Sequence, residues 1–372
     1  MQIQPVNPRR AADIDAFIRL PFDLYRHTPQ WVPPMVAEIG HLCRGQKHPF
    51  FHHSEAAFFL VRRGRDTLGR IAVMDNRRYN AYHDARTAFF ALFESVDDVA
   101  VASALFDAAA QWARDRGLDR LVGPRGFARG DGLGMLVEGY EHPAVMNIPY
   151  HHAYYQRLVS AVGLEKEIDY LSGTLWRDHG LAPRFFELAE RVKARRGLEV
   201  LQFKTKDELR AWMPGIHKVY NEAFTHIWNY YPVDEAEIRH MAGQLLSVAD
   251  PSLIKLVLHQ GEVAGFLLAF PDISDGLRRA GGRLWPLGWW HLSREFRRTR
   301  RASINGLGLL PRYQGLGGSV ILYSELARTL ISSRFEEADV SQVSEENAKS
   351  LADMRAIGVR WTKRHRIYYQ SL

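Results

Sequence analysis

Apolar residues recur along this chain at two spacings, and the two spacings sort it into a train of helices and strands. Helical spacing marks residues 11–25, 99–116 (Val101, Leu105, Ala108, Trp112) and 150–162, and the last two stop at Gly117 and Gly163. Apolar or alternating runs predict strands at 56–62, 69–75, 87–94 and 121–122, the first two joined by a turn at 64–67. A Pro-bounded loop occupies 29–34. The second half repeats this order: helix 184–196 ending at Gly197, strand 198–203, helices 206–224 and 234–248, and a hairpin 253–270 turning at 260–262. Strand 302–310, helix 319–332, strand 337–343, helix 347–357 closed by Gly358 and strand 364–370 follow. Helices alternating with hairpins predict an α/β (α+β) fold: two domains, each a mixed, mostly antiparallel sheet flanked by helices. The repeat places the cut near residue 178, giving domains 1–178 and 179–372.

Composition narrows the classes. At 372 residues, 46% apolar and 24% charged, the chain has the make-up of a globular protein and the length for two or three cores. The net charge of +7 suits an anionic ligand and is too weak by itself to imply DNA or other nucleic acid. The lone cysteine, Cys43, excludes an intrachain disulfide and a cysteine-based zinc site, and points to a reducing, cytoplasmic home. The most apolar windows, 56–61 and 264–270, are too short for a membrane span. The aromatic stretch 285–290 (WPLGWW) reads as a loop or hairpin packed on the core rather than a membrane-surface contact, because it is not an amphipathic helix, and the arginine run over 294–301 reads as a solvated hairpin. The run's other reading is contact with the 3′-phosphate of coenzyme A or with an acidic carrier protein.

The sharpest chemistry lies at 309–318, LLPRYQGLGG, directly after a strand and before a helix. Its core is Arg312-x-x-Gly315-x-Gly317, with Gly318 next. Glycines let a backbone turn tightly against a ligand, the amides of such a turn converge, and a helix N-terminus adds positive potential. The segment is either a pyrophosphate cradle or a plain Gly-rich strand-to-helix turn. It lacks the Gly-Lys-Ser/Thr of a P-loop and the parallel βαβ context of a dinucleotide fold.

On these residues, and on the flanks GLGLLPRYQGLGGSVILYSELA and VSEENAKSLADMRAIGVR, residues 198–370 resemble the coenzyme A-binding part of the GNAT acetyltransferase superfamily. The first half matches the same element order, but Ser95-Val96-Asp97-Asp98 stands where the cradle should be, so it resembles a degenerate copy. The whole chain resembles bacterial tandem GNAT-like proteins, with PFDLY at 21–25, PQWVPP at 29–34, HPFF at 48–51, the glycine-rich 123–140 and YNEAF at 220–224. The resemblance implies transfer of an acetyl or longer acyl group from acyl-CoA to a small-molecule or peptide amine by direct attack, without a metal. Amides of Gln314, Gly315, Leu316, Gly317 and Gly318 would hold the pyrophosphate, flanked by Arg312. Strand 302–310 would part from 337–343 to admit the pantetheine, with Leu307 and Leu309 donating to the thioester carbonyl. Asn347 would bond the pantetheine arm or cap its helix. A Tyr that many members carry as general acid is Met354 here; Tyr323, Tyr368 or Tyr369 replaces it, or the thiolate leaves unprotonated.

The segment 220–231 falls where such proteins place the acceptor lid: Glu222 as general base, Asn221 as an acceptor contact, Trp228 and Tyr230 as walls, or alternatively a helix end closing the core. Asn305, mid-strand beside the thioester, would orient the attacking amine. His48, His52, His53, His151 and His152 fit hydrogen-bonded roles better than a metal site. The glycine-rich 123–139, with Arg125 and Arg129, is an anion site or an irregular packed loop. Two other function classes stay open beside acyl-CoA:amine transfer. One is acyl or aminoacyl transfer from a carrier protein or tRNA; the other is an acyl-CoA-binding module without turnover.

Overall fold

The hairpin expected at 56–75 forms β2 (Glu55–Arg63) and β3 (Asp66–Asp75), paired antiparallel from Glu55↔Asp75 to Arg63↔Asp66. These coordinates are a computed structural model describing residues 1–177, 182–225 and 227–372. Before the hairpin lie β1 (Gln2–Pro5), α1 (Ala11–Leu24) and α2 (Val36–Cys43). After it come α3 (Arg77–His83), β4 (Thr87–Ser95), α4 (Val99–Arg114), β5 (Arg120–Gly123), β6 (Met135–Glu138) and α5 (Tyr154–Ala161). β7 (Glu165–Trp176), α6 (Pro183–Arg196), β8 (Leu198–Gln202), α7 (Lys206–Ala211), α8 (Met213–Ala223) and α9 (Glu235–Val248) follow. The chain then runs through β9 (Lys255–His259), β10 (Glu262–Pro271), α10 (Ser274–Ala280), α11 (Gly288–Arg298) and β11 (Arg301–Leu309). It ends in α12 (Gly318–Ile331), β12 (Glu337–Ser344), α13 (Ala348–Ala356) and β13 (Arg360–Ser371). Among the described residues no helix is long and apolar enough to cross a membrane.

Two units emerge, each a mixed α/β layer structure. The first comprises residues 1–170, 274–293 and 363–372; the second comprises 171–273 and 294–362. The expected cut at 178 lies outside the described residues. The division also differs from a single cut, because the last strand serves the first unit: Tyr368 to Ser371 pair with Gly123 to Arg120. Sequence spacing identifies that strand but carries no signal for its partner. Helix 206–224 is in fact two, broken at Trp212, because Pro214 at the start of α8 offers no N–H to the preceding turn. The stretch after WPLG is helix α11 rather than a hairpin, since no Gly, Pro or Asn interrupts it between Gly288 and Asn305.

In the first unit β4 is antiparallel to β3 and pairs parallel with β5 only from Thr87↔Arg120 to Phe89↔Val122. α4 packs on this sheet through Val101, Leu105, Phe106 and Ala109 against Val61, Ile71, Phe90 and Phe93. Each such buried side chain contributes about 1.5–3 kcal/mol. Gly69 permits the close approach, since a Cβ there would lie 2.7 Å from Val101. The far end of β4 is plugged by a buried polar cluster: the hydroxyls of Tyr25 and Tyr155 donate to Glu94 at 2.8 and 2.6 Å, and Arg70 lies 3.9 Å from its other oxygen. Burial pushes the Glu94 carboxyl up, against the pull of Arg70.

Several histidines of this unit are hydrogen-bonded. His48 Nδ1 accepts from the Phe50 amide, His53 bonds Ser54, and His151 Nδ1 accepts from the Leu136 amide. Burial lowers the His151 pKa to about 3 and the His365 pKa to about 4; the latter's Nε2 bonds the Pro149 carbonyl. Both stay neutral when folded, whereas the unfolded chain takes up protons below about pH 6.5. The unfolded state then binds more protons, so stability falls as pH drops from 6.5 toward 4. Urea midpoints should show a loss of roughly 2 kcal/mol per histidine at pH 4.5, and His365→Gln should flatten half of that slope.

Candidate functional site

The second unit carries the same hairpin-strand-helix-strand order with a different ending. β10 pairs antiparallel with β9 and with β11. The β10–β11 register slips so that Asn305 is the extra residue between Ala269↔Ile304 and Leu268↔Gly306, a bulge. β11 pairs parallel with β12 only from Arg301↔Glu337 to Ile304↔Val340, and beyond the bulge the two strands part. The expected splay is therefore present. Its open edge follows from alternation. The Leu310 amide donates to the Ala264 carbonyl at 2.9 Å, so Gly308 and Gly306, two and four residues back, also face β10. The backbone groups of Leu307 and Leu309 point the other way, into the gap. Consistent with that, the Leu309 carbonyl accepts from Gln314 Nε2 at 3.1 Å.

The loop itself is a short 3₁₀ turn over Pro311–Tyr313, then two glycines in the left-handed region, Gly315 at φ +74° and Gly317 at φ +86°. Gly317 caps α12, and no side chain bonds that helix end. The first amides of an α-helix have no intrahelical partner. Among the described residues those of Gly315, Gly317, Gly318, Ser319 and Val320 take no protein acceptor. This set differs from the expected one. The Gln314 amide closes the turn onto the Pro311 carbonyl at 3.2 Å, and the Leu316 amide is spent on Tyr313. Ser319 and Val320 join instead, and the rule of four orphan amides would have found them from sequence. The loop is braced from the hairpin: the Tyr313 hydroxyl bonds His259 Nδ1 at 2.9 Å, and exposed Arg312 lies 3.5 Å from Glu262.

The first unit makes the contrast. At the matching helix end Asp98 caps α4, its carboxylate accepting from the Ala100 amide at 2.9 Å. The helix end is satisfied by the chain's own anion, as expected of a degenerate copy.

The remaining expected site residues divide. Leu309, Gln314 and Gly318 meet at the strand-to-helix turn, where a Cβ on Gly318 would sit 2.8 Å from Leu309 Cδ2, and Leu307, Gly315 and Gly317 lie on the same strand and turn. Leu316 lies half-buried in the same loop. Asn347 caps α13, its Oδ1 accepting from the Ser350 amide at 3.0 Å, so of its two readings the structure gives the cap. Met354, at the position of the usual acid, is buried in the apolar cluster that also holds Tyr323. Burial, with the Asp353 carboxylate, raises the Tyr323 pKa, and the side chain is a core member. Tyr368 and Tyr369 belong to the first unit; the Tyr369 hydroxyl bonds Glu165.

In the lid segment Asn221 is committed to structure. Its Nδ2 lies 2.9 Å from His217 Nε2 and donates to the Val233 carbonyl at 3.1 Å, while its Oδ1 accepts from the Val233 amide. Tyr230 is buried and its hydroxyl bonds the Asn221 carbonyl, whereas Trp228 is half-buried. Glu222 is exposed on α8. From this segment Phe224 reaches β11, and Tyr220 stacks on Phe266 of β10. Phe224 would lie 3.1 Å from a Cβ on Gly308, while a Cβ on Gly306 would meet nothing within 4 Å. Exposed Asn305 stands beside that open space.

No family model matches the chain. Among curated proteins, it is 28% identical to the bacterial ceramide synthase of Caulobacter vibrioides, over 97% of this chain and 95% of that one. It is 24% identical to protein YghO of Escherichia coli, over 97% and 93%. Among solved structures, a tandem GNAT protein from the clavulanic acid biosynthesis pathway matches 100% of this chain and 98% of its own at TM-score 0.59 and 12% identity. A GCN5-related N-acetyltransferase from Sphaerobacter thermophilus matches 100% and 95% at TM-score 0.54 and 13% identity. The fold is thus two GNAT-like units in tandem.

Proposed function

We propose that this tandem GNAT-fold chain is an acyltransferase that moves an acyl group from acyl-CoA to the primary amine of a long-chain amino alcohol, using the second unit alone. The observation that carries the reading is the set of five unpartnered amides at the N-terminus of α12, beside a strand edge opened by the β11–β12 splay. Converging amides at a helix N-terminus suit a diphosphate. The acceptor class is supported by the likeness to a protein named a ceramide synthase, since a ceramide is the fatty amide of a long-chain amino alcohol.

The reaction is a direct displacement. The amine nitrogen attacks the thioester carbonyl, the oxygen's developing charge is met by the open amides of Leu307 and Leu309, and the C–S bond breaks. The electron pair leaves with the coenzyme A thiolate, tolerable as a leaving group because a thiol pKa is near 8.5. The extra amine proton passes to water. Asn305, exposed at the bulge, would hold the amine by a hydrogen bond and has no basic character. With Met354 buried where an acid is usual, leaving-group protonation by that position is excluded.

Calorimetry tests the cradle and turnover tests the reaction. Acyl-CoA is expected to bind at least about 100-fold more tightly than the acyl-pantetheine that lacks the diphosphate. Thiol release should then follow addition of a long-chain amino alcohol and not of a short alkylamine. Equal affinity for the two thioesters would remove the cradle. Tight acyl-CoA binding with no thiol release over an amine panel would favour the second reading, a binding module, which the buried Met354 supports. Thiol release only with an acyl carrier protein or tRNA would move the donor or acceptor to those classes.

A further inference from the structure

Of the eleven large apolar side chains that the described residues leave exposed, five fall within residues 284–290: Leu284, Trp285, Leu287, Trp289 and Trp290. Scattered exposed apolar residues carry no message, but a contiguous group does. Trp285 is 79% exposed and Leu287 62%. The group is held in place from behind, inside the first unit. The Val36 amide donates to the Gly282 carbonyl at 2.9 Å, Arg278 Nε donates to the Trp31 carbonyl at 3.2 Å, and Arg278 Nη2 donates to the Ala144 carbonyl at 3.3 Å. A Cβ at Gly282 would lie 2.1 Å from the Pro34 carbonyl oxygen, so glycine is required for this contact. The PQWVPP segment, which the transferase reading leaves without a role, is thus the base on which the tip stands.

Within residues 276–300 the exposed charge has one sign, with Arg300 paired to Glu336 at 2.8 Å. Arg279, Arg283, Arg294, Arg297, Arg298 and Arg300 are exposed, and the one acid between residues 276 and 300, Glu295, is buried. On α11 the exposed Trp290, Arg294 and Arg297 follow at i, i+4 and i+7, so aromatic and guanidinium groups share one stripe. Tryptophan partitions to the boundary between lipid headgroups and acyl chains, and arginines just above it meet phosphates. An acidic carrier protein would use the arginines and leave the tryptophans unmatched. We propose that residues 283–298 form an interfacial anchor that docks the protein on an anionic bilayer, with the 284–289 tip inserted among the headgroups. The inference stands apart from the transferase reading, because vesicle binding needs no acyl-CoA.

The test is flotation of the full chain with vesicles of phosphatidylcholine alone or mixed with phosphatidylglycerol. The protein is expected to float with the mixed vesicles, with a blue shift of its tryptophan emission and release at high salt. A Trp285→Glu/Trp289→Glu protein should partition at least about 10-fold more weakly, with coenzyme A affinity and urea midpoint unchanged. Arg294→Glu/Arg297→Glu should abolish the preference for phosphatidylglycerol. Protein that stays unbound with both vesicle types overturns the proposal. So does a tip that instead mediates dimers in sedimentation equilibrium, or that binds a purified acyl carrier protein and no vesicle.

Discussion

Gly315→Asp is expected to weaken coenzyme A binding at least about 100-fold, close to 2.7 kcal/mol, while costing the fold no more than the roughly 1–2 kcal/mol of a left-handed aspartate. The position separates binding from folding. A Cβ there meets nothing within 4 Å, and Asp tolerates φ +74° better than most residues. The charge also changes: a carboxylate enters beside the unpartnered amides of Gly315, Gly317, Gly318, Ser319 and Val320 and would compete with an anionic ligand for them. In the first unit an aspartate occupies the corresponding helix end, Asp98 accepting from the Ala100 amide at 2.9 Å. Gly317 would be a poorer site for the experiment, since its Cβ would lie 2.9 Å from Val192 and the fold would suffer too. Calorimetry and a urea titration on one preparation give both readouts. Parent-like affinity in the variant would mean that no diphosphate sits there.

Glu94→Gln in the first unit should destabilise by about 3–5 kcal/mol, because it strands the guanidinium of Arg70 in a dry interior. Arg70 is 2% exposed, its Nη1 donates to the Phe17 carbonyl at 2.7 Å, and it cannot shed its charge. Removing the other partner is expected to be milder. In Arg70→Met the Glu94 carboxyl, already pushed up by burial, loses the opposing guanidinium and takes up a proton. Its folded pKa then rises further above the unfolded value, so the folded state binds more protons and stability grows as pH falls toward the ordinary carboxyl range. Urea titrations at pH 8 and pH 5 distinguish the two variants. Equal, pH-independent losses would show that the pair is not electrostatically coupled.

The architecture was largely legible because its determinants are local. Helical spacing with a closing glycine found α4, α6 and α13, and the turn at 260–262 located the second hairpin. The glycine-rich turn into α12 was legible because strand, glycines and helix are contiguous in sequence. What escaped depends on partners distant in the chain. Nothing in residues 363–372 says that they pair with 120–123. Asn221 and Tyr230 read equally well as lid or as core until their hydrogen bonds to Val233 and to each other's segment are seen. Tyr323 offers a hydroxyl in the right helix, and only burial shows it to be packing. α11 does not show in residue types, which turn from aromatic to basic along it; its signal is the uninterrupted run after Gly288.

The bare N-terminus of α12 is kept open by sterics and not merely by the lack of a capping side chain. A glycine at a helix start forgoes only a few tenths of a kcal/mol relative to Ser, Asp or Asn, and Gly317 does not exchange freely for one of these, because its φ is +86° and a Cβ there would lie 2.9 Å from Val192. Single substitutions at that position are therefore uphill in stability, so the helix start stays uncapped whether or not anything binds to it.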